Sequence, residues 1–199
     1  MCIRDSDKRL RNVILAGAVP QVTPIIIVNH PMTNNHSKFR VAILTSSDAG
    51  SKGERDDTSG DAISDFIAQH LFDEVARDLL PDEQTLIENK LIEWCDSGKV
   101  DLVLTTGGTG LGPRDVTPEA TRKVIDFEVP GLTEAIRIKT MCLTPMAMLS
   151  RAVAGVRMGT LILNLPGSPK GVVECLGVAI EVLPHGLEVL KGRRGHPSH

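Results

Sequence analysis

Asp101-Leu102-Val103-Leu104-Thr105-Thr106-Gly107-Gly108-Thr109-Gly110 is the stretch on which the fold turns. Its first six residues are apolar and β-branched enough, and short enough, to be a buried strand, and the glycines break that strand at its carboxyl end. A few residues on, Thr117-Pro118-Glu119 reads as a helix start. It combines an N-cap threonine, a proline at the first helical position and an acid in the first turn, and predicts a helix from about Pro118 to Asp126.

The same step recurs on both sides. Arg40 to Thr45 is an apolar strand ending in Ser46-Ser47-Asp48-Ala49-Gly50. After a charged loop, Thr58 to Phe72 places Ile63, Phe66, Ile67 and Leu71 on one helical face. Val75 to Leu80 reads as a short strand, and Pro81-Asp82-Glu83 opens a helix carrying Ile87, Leu91, Trp94 and Cys95 inward. Gly131 to Cys142 reads as a helix, and Ala152–Val156 with Thr160–Asn164 as a hairpin turning through Met158-Gly159. The loop Leu165-Pro166-Gly167-Ser168-Pro169-Lys170-Gly171 then feeds a helix burying Val172, Leu176, Ala179, Ile180 and Leu183. Alternation of this kind predicts an α/β fold of three layers, α/β/α, around a mostly parallel sheet with an antiparallel edge hairpin. Ligands of such sheets bind beyond the carboxyl ends of the strands, where all the conspicuous loops lie.

With 199 residues the chain suits a single domain, expected over residues 39–191. Residues 1–38 read as a leader, disordered or not native: Lys8-Arg9-Leu10-Arg11 and an apolar stretch imitate a secretory signal, but Pro20 and Pro24 interrupt it, and Met32 is the expected start. Residues 192–199 read as a flexible tail.

Composition narrows the function. The balance of 22 Lys+Arg against 25 Asp+Glu, a formal charge of -3, creates no field that draws the chain to nucleic acid or an anionic membrane. With no Tyr and one Trp, stacking platforms for single strands are disfavoured. Cys2, Cys95, Cys142 and Cys175 lack zinc-ligand spacing, and the three inside the domain read as small buried hydrophobes in a reducing, cytoplasmic compartment. There is no G-x-S-x-G, and His70 and His185 fall in helical patterns as structural residues, so a serine hydrolase is disfavoured. A small-molecule site remains.

Gly107-Gly108-Thr109-Gly110 lets backbone N–H groups approach an anion, with the Thr109 hydroxyl as an added donor. It is neither a dinucleotide fingerprint nor a Walker A loop, and a plain tight turn would look the same. Arg114-Asp115 adds a cation and a carboxylate, although an aspartate here also serves as a turn residue. Asp82 reads either as a site acid or as an N-cap. Asp48, Asp56 and Asp57 are metal or ribose candidates, or solvated loop acids. Ser168 and Lys170 sit where a strand-to-helix loop meets phosphate.

Together, Leu44-Thr45-Ser46-Ser47-Asp48, Asp57-Thr58-Ser59-Gly60, Leu80-Pro81-Asp82-Glu83, Thr105 to Gly110 with Arg114 to Pro118, and Asn164 to Lys170 resemble the molybdopterin adenylyltransferase family of molybdenum cofactor biosynthesis. The likeness runs from about Phe39 to Lys191. It implies a molybdopterin-binding-domain-like fold, a homotrimer, and Mg-ATP-dependent adenylylation of molybdopterin with release of pyrophosphate. It further implies that Asp82 and Asp115 are the acids associated with catalysis, holding or orienting Mg²⁺. Gly107, Gly108, Thr109, Gly110, Pro166, Gly167, Ser168 and Lys170 are expected around molybdopterin, and Ser47, Asp48, Ser59 and Gly60 around the nucleotide. The product would pass to a molybdate-inserting protein.

That chemistry accounts for the missing nucleophile. A phosphate monoester with a second pKa of about 6 is largely dianionic at neutral pH and attacks phosphorus without a strong base. Positioning two polyanions is the difficult part. Rival readings are a molybdate-insertion-type domain, which usually carries further domains, and a non-catalytic pterin-binding or scaffold member.

Overall fold

The computed structural model describes residues 38–192. The expected leader before Lys38, the Met32 start, Cys2 and the tail beyond Gly192 lie outside the described residues. In chain order the elements are β1 (Phe39–Ser46), α1 (Asp48–Ser51), α2 (Thr58–Ile67), β2 (Phe72–Leu80), α3 (Gln84–Asp96), β3 (Leu102–Thr106) and α4 (Thr117–Val124). There follow β4 (Phe127–Glu128), α5 (Pro130–Thr140), a 3-10 turn (Pro145–Leu149), β5 (Ala154–Arg157), β6 (Thr160–Leu165), α6 (Pro169–Ala179) and α7 (Leu183–Leu190).

The strands form one six-stranded sheet in the order β2-β1-β3-β6-β5-β4. β2, β1, β3 and β6 are parallel, while β5 pairs antiparallel with β6 and β4 antiparallel with β5. Strand alternation explains why both faces are covered. Val41, Ile43, Leu102 and Leu104 point to one face, where Ile63 and Ile67 of α2 and Val172, Leu176 and Ala179 of α6 bury them. Ala42, Leu44 and Val103 point to the other, against Ile87, Leu91 and Trp94 of α3 and Ala120 and Val124 of α4. These are the three layers that the apolar periodicity predicts.

Register then places the site. Ser46 pairs with Leu80, Thr45 with Thr106, and Thr106 with Leu165, so four parallel strands end level and deliver their loops to one edge. β1 is followed by β2 on one side and β3 on the other, and the β1/β3 junction is therefore the switch point at which such sheets open a crevice.

Several local expectations are corrected. The helix expected to Phe72 stops at Ile67, leaving Leu71 40 % exposed, because Phe72 is taken by pairing with Phe39 and buried against its ring. The second strand is accordingly longer than Val75–Leu80; its edge position, with charged residues at Asp73, Glu74, Arg77 and Asp78, hides it from apolar periodicity. The hairpin forms, but β5 is not the edge: β4 covers it. The last long helix is two, and Leu183 belongs to α7. The helix expected over Gly131–Cys142 is α5, ending at Thr140, and Cys142 is exposed, unlike Cys95 and Cys175. Burial pushes the Cys95 thiol up to about 12 and that of Cys175 up to about 11. His70 stacks on Phe66 and its Nδ1 lies 2.8 Å from the Phe66 carbonyl, a structural placement.

The opposite, amino end of the sheet is fastened by Asp101. Its buried carboxylate accepts from the Arg40 backbone N–H (2.9 Å), Arg40 Nη2 (2.7 Å) and Lys191 Nζ (2.8 Å). Burial alone would raise its pKa, but these bonds outweigh it and hold the group at about 2.

Candidate functional site

The glycine loop is dictated first by packing. Gly107 has φ +90, and a Cβ there would collide with the Ser46 carbonyl oxygen, so only glycine lets β1 and β3 end side by side. Gly108, at φ +62, leaves no room for a Cβ beside the Thr117 hydroxyl. The next loop is tied in where Thr106 Oγ1 donates to the Pro166 carbonyl (2.8 Å) and Gly167 lies against Gly107. Thr117 is not the N-cap expected from sequence. Val116 holds that position, because the Thr117 N–H is already taken by the Gly108 carbonyl (3.2 Å) and the residue is drawn into the first turn.

The carboxylates follow from the same convergence. Asp82 is no N-cap, since α3 starts at Gln84 behind Glu83. Its Oδ1 accepts from Ser46 Oγ (2.6 Å) and its Oδ2 from the Asp48 N–H (2.9 Å), while its own N–H donates to Asp48 Oδ1 (3.1 Å). Asp48 meanwhile receives Arg114 in a two-pronged pair (2.9 and 2.8 Å), which holds its carboxyl below the usual range. The cation expected to meet phosphate is thus engaged with an acid expected to meet the nucleotide. Asp115 Oδ2 accepts from the Gly112 N–H (2.7 Å), as a turn residue does. Asp57 caps α2, accepting from the Gly60 N–H (2.9 Å) and Thr45 Oγ1 (2.7 Å). Ser168 caps α6, accepting from the Gly171 N–H (3.2 Å), and Lys170 projects with its side chain 86 % exposed.

Two clefts open over this edge. The larger, about 700 Å³, is bounded by Thr109, Gly110, Pro166, Ser168 and Lys170, with Ile136, Leu143 and Met146 as an apolar wall. The smaller, about 190 Å³, is polar and bounded by Ser47, Ser59, Asp82 and Gly107, with Arg55 and Asp56 at its rim. Gly108, Asp115 and Gly167 line both. The residues expected around the pterin and around the nucleotide thus separate largely into two adjoining spaces, whereas Asp48 and Gly60 line neither.

Residues 42–185 match the family described as "Probable molybdopterin binding domain". The chain belongs to this family. Within it, the chain is 42 % identical over 156 residues to a molybdopterin adenylyltransferase of Helicobacter pylori, covering 77 % of this chain and 89 % of that protein. It is 43 % identical over 140 residues to the molybdopterin adenylyltransferase of Escherichia coli K12, covering 69 % and 72 %. The crystal structure of the molybdopterin biosynthesis enzyme MoaB from Thermus thermophilus superposes with a TM-score of 0.74 at 55 % identity, covering 77 % of this chain and 97 % of that one.

Some contacts of this molybdopterin binding domain have no signature in the sequence. Asn164, buried at the end of β6, donates from Nδ2 to Thr105 and Thr121 hydroxyls (2.9 Å each) and accepts from the Val153 N–H (3.1 Å), joining β3, α4 and the approach to β5. Ser46, the partner of Asp82, reads as the start of a polar loop, with nothing in its neighbours to mark that contact. Arg151 reaches residues 32 to 41 positions away, beyond the range of any local pattern.

Proposed function

We propose that the chain is a molybdopterin adenylyltransferase acting in molybdenum cofactor biosynthesis. The observation that carries this reading is the pair of unlike clefts sharing Gly108, Asp115 and Gly167: two polyanionic substrates can meet there over a carboxylate. Molybdopterin occupies the larger cleft, its ring system against the apolar wall and its phosphate at the glycine loop. ATP occupies the smaller one. A phosphate oxygen of molybdopterin attacks the α-phosphorus of ATP, a P–O–P bond forms, the bond to the β-phosphate oxygen breaks, and pyrophosphate leaves.

Magnesium is expected at Asp82 and Asp115. Among the described residues Asp82 accepts only from neutral donors and Asp115 Oδ1 accepts from none, so hard oxygen lone pairs are left. Among the described residues no group of three or more His, Cys, Asp or Glu is placed to hold a metal, so a cation at these two acids would need waters and phosphate oxygens as its further ligands. When bound it would offset phosphate charge. The chain's own part is to hold the reactants in line with donors fixed before they arrive.

A homotrimer is proposed alongside. Ile138 and Met148, 60 and 63 % exposed and outside the larger cleft, are large apolar side chains on one segment, which suits a contact between copies. Light scattering that returned a monomer would remove this part. No helix of the described residues is long and apolar enough to cross a membrane, and a cytoplasmic enzyme handing its product to a molybdate-inserting protein fits the chemistry. Purified protein incubated with Mg-ATP and molybdopterin should yield pyrophosphate and an adenylylated pterin in equal amounts. Tight pterin binding without pyrophosphate would instead mark a non-catalytic member.

A further inference from the structure

Arg151 lies between the 3-10 turn and β5, outside both clefts. Its backbone N–H donates to the Thr109 carbonyl (3.1 Å), Nε to the Gly110 carbonyl (2.6 Å), Nη2 to the Asp115 carbonyl (2.5 Å), and Nη1 to the Glu119 carboxylate. The guanidinium is a rigid planar fork, so these contacts set the spacing of Gly110 and Asp115 as a lysine's point charge cannot. Among the described residues Glu119 Oε2 is buried without a partner, and Arg151 is the group that holds that carboxylate in place.

The consequence lies on the other side of the peptide planes. In a planar trans peptide the carbonyl of one residue points opposite to the N–H of the next. Drawing the Thr109 and Gly110 carbonyls onto Arg151 therefore turns the Gly110 and Leu111 N–H groups away from it. Both residues line the larger cleft, and neither N–H has an acceptor among the described residues. We propose that Arg151, oriented by Glu119, is a positioning residue that aims the Gly110 and Leu111 N–H groups at the phosphate bound in the larger cleft. It never touches the substrate. It fixes the donors before the anion arrives, which is the condition under which they stabilise developing charge.

The proposal rests on the assignment of molybdopterin to that cleft, and its test separates the two. In wild-type protein, titration with inorganic phosphate and then with molybdopterin should shift the backbone amide resonances of Gly110 and Leu111 more than those of β1 and β2. Arg151→Lys should abolish the selective shift, raise the KM for molybdopterin about tenfold and lower kcat, while the KM for Mg-ATP stays within about twofold. Glu119→Gln, which keeps the side chain's shape, should do the same more weakly and serves if Arg151→Lys folds poorly. Unmoved Gly110 and Leu111 amides in a wild type that binds molybdopterin would overturn the proposal, as would a variant whose two KM values rise together. If the wild type forms no pyrophosphate, the adenylyltransferase reading falls, but the amide shifts still decide the role of Arg151.

Discussion

At the amino end of β3, Asp101 is buried and accepts from two cations, Arg40 and Lys191; beyond the carboxyl ends of the same sheet, Asp82 and Asp115 accept only from neutral donors and, among the described residues, form no ion pair. The difference is one of compensation. A carboxylate whose charge is matched inside the protein has nothing left to offer a ligand and works as a fastener. One that is held in place by hydroxyl and N–H groups keeps its charge for a cation or substrate. Nearby, Arg114 shows that compensation also occurs at the site edge, where it fixes Asp48 and so indirectly frames Asp82.

The sharpest challenge to this division is Asp115→Asn. The amide oxygen can still accept from Gly112, so melting should move little, while turnover should fall at least about 100-fold, as when a preorganised charge is removed from a reaction centre. Retained turnover would place Asp115 among the fasteners. Gly107→Ala tests the one place where site and scaffold are the same atoms: positive φ and contact with Ser46 should cost about 2–4 kcal/mol in denaturant melts, with activity lost alongside. An unmoved melt would contradict the packing argument, and an unstable protein with an intact pterin site would separate scaffold from site.

Asp101→Asn should do the reverse of Asp115→Asn, lowering stability by about 2 kcal/mol and leaving kcat at 25 °C near wild type. The same clamp has a pH signature. Because the folded pKa of about 2 lies below that of the unfolded chain, the Asp101 contribution is complete above about pH 4 and disappears as pH falls through 2. Acid melts of wild type and Asp101→Asn should therefore converge below that window, and parallel curves would exclude the clamp. The smallest effect is expected from Lys170→Ala: its side chain is 86 % exposed, so stability should stay within about 0.5 kcal/mol while the KM for molybdopterin rises a few-fold.

The general plan is legible because burial leaves a periodic mark. Val41, Ile43, Ala42 and Leu44 alternate between two faces that are both apolar, which only a sheet covered on each side satisfies, and Gly107 stands where such a strand must stop. Charged edge strands leave no such mark, and the full extent of β2 is hidden for that reason. The site is legible as a set of residue types and not as roles. Asp82 and Thr117 each look like caps in isolation, and each is diverted by a partner outside its local pattern: Ser46 for Asp82, Gly108 for Thr117.

By itself, then, the sequence determined the layers, the strand-to-loop-to-helix steps and the clustering of glycine, aspartate and lysine in loops at one edge, since all of these depend on neighbours within a few residues. Tertiary structure alone decided that four strands end level, that Asp101 is matched by cations while Asp82 and Asp115 are not, and that Arg151 draws the glycine loop's carbonyls to one side. Those outcomes rest on contacts between residues tens of positions apart, where hydrogen-bond geometry is set by sheet register and helix placement and leaves no local pattern to read.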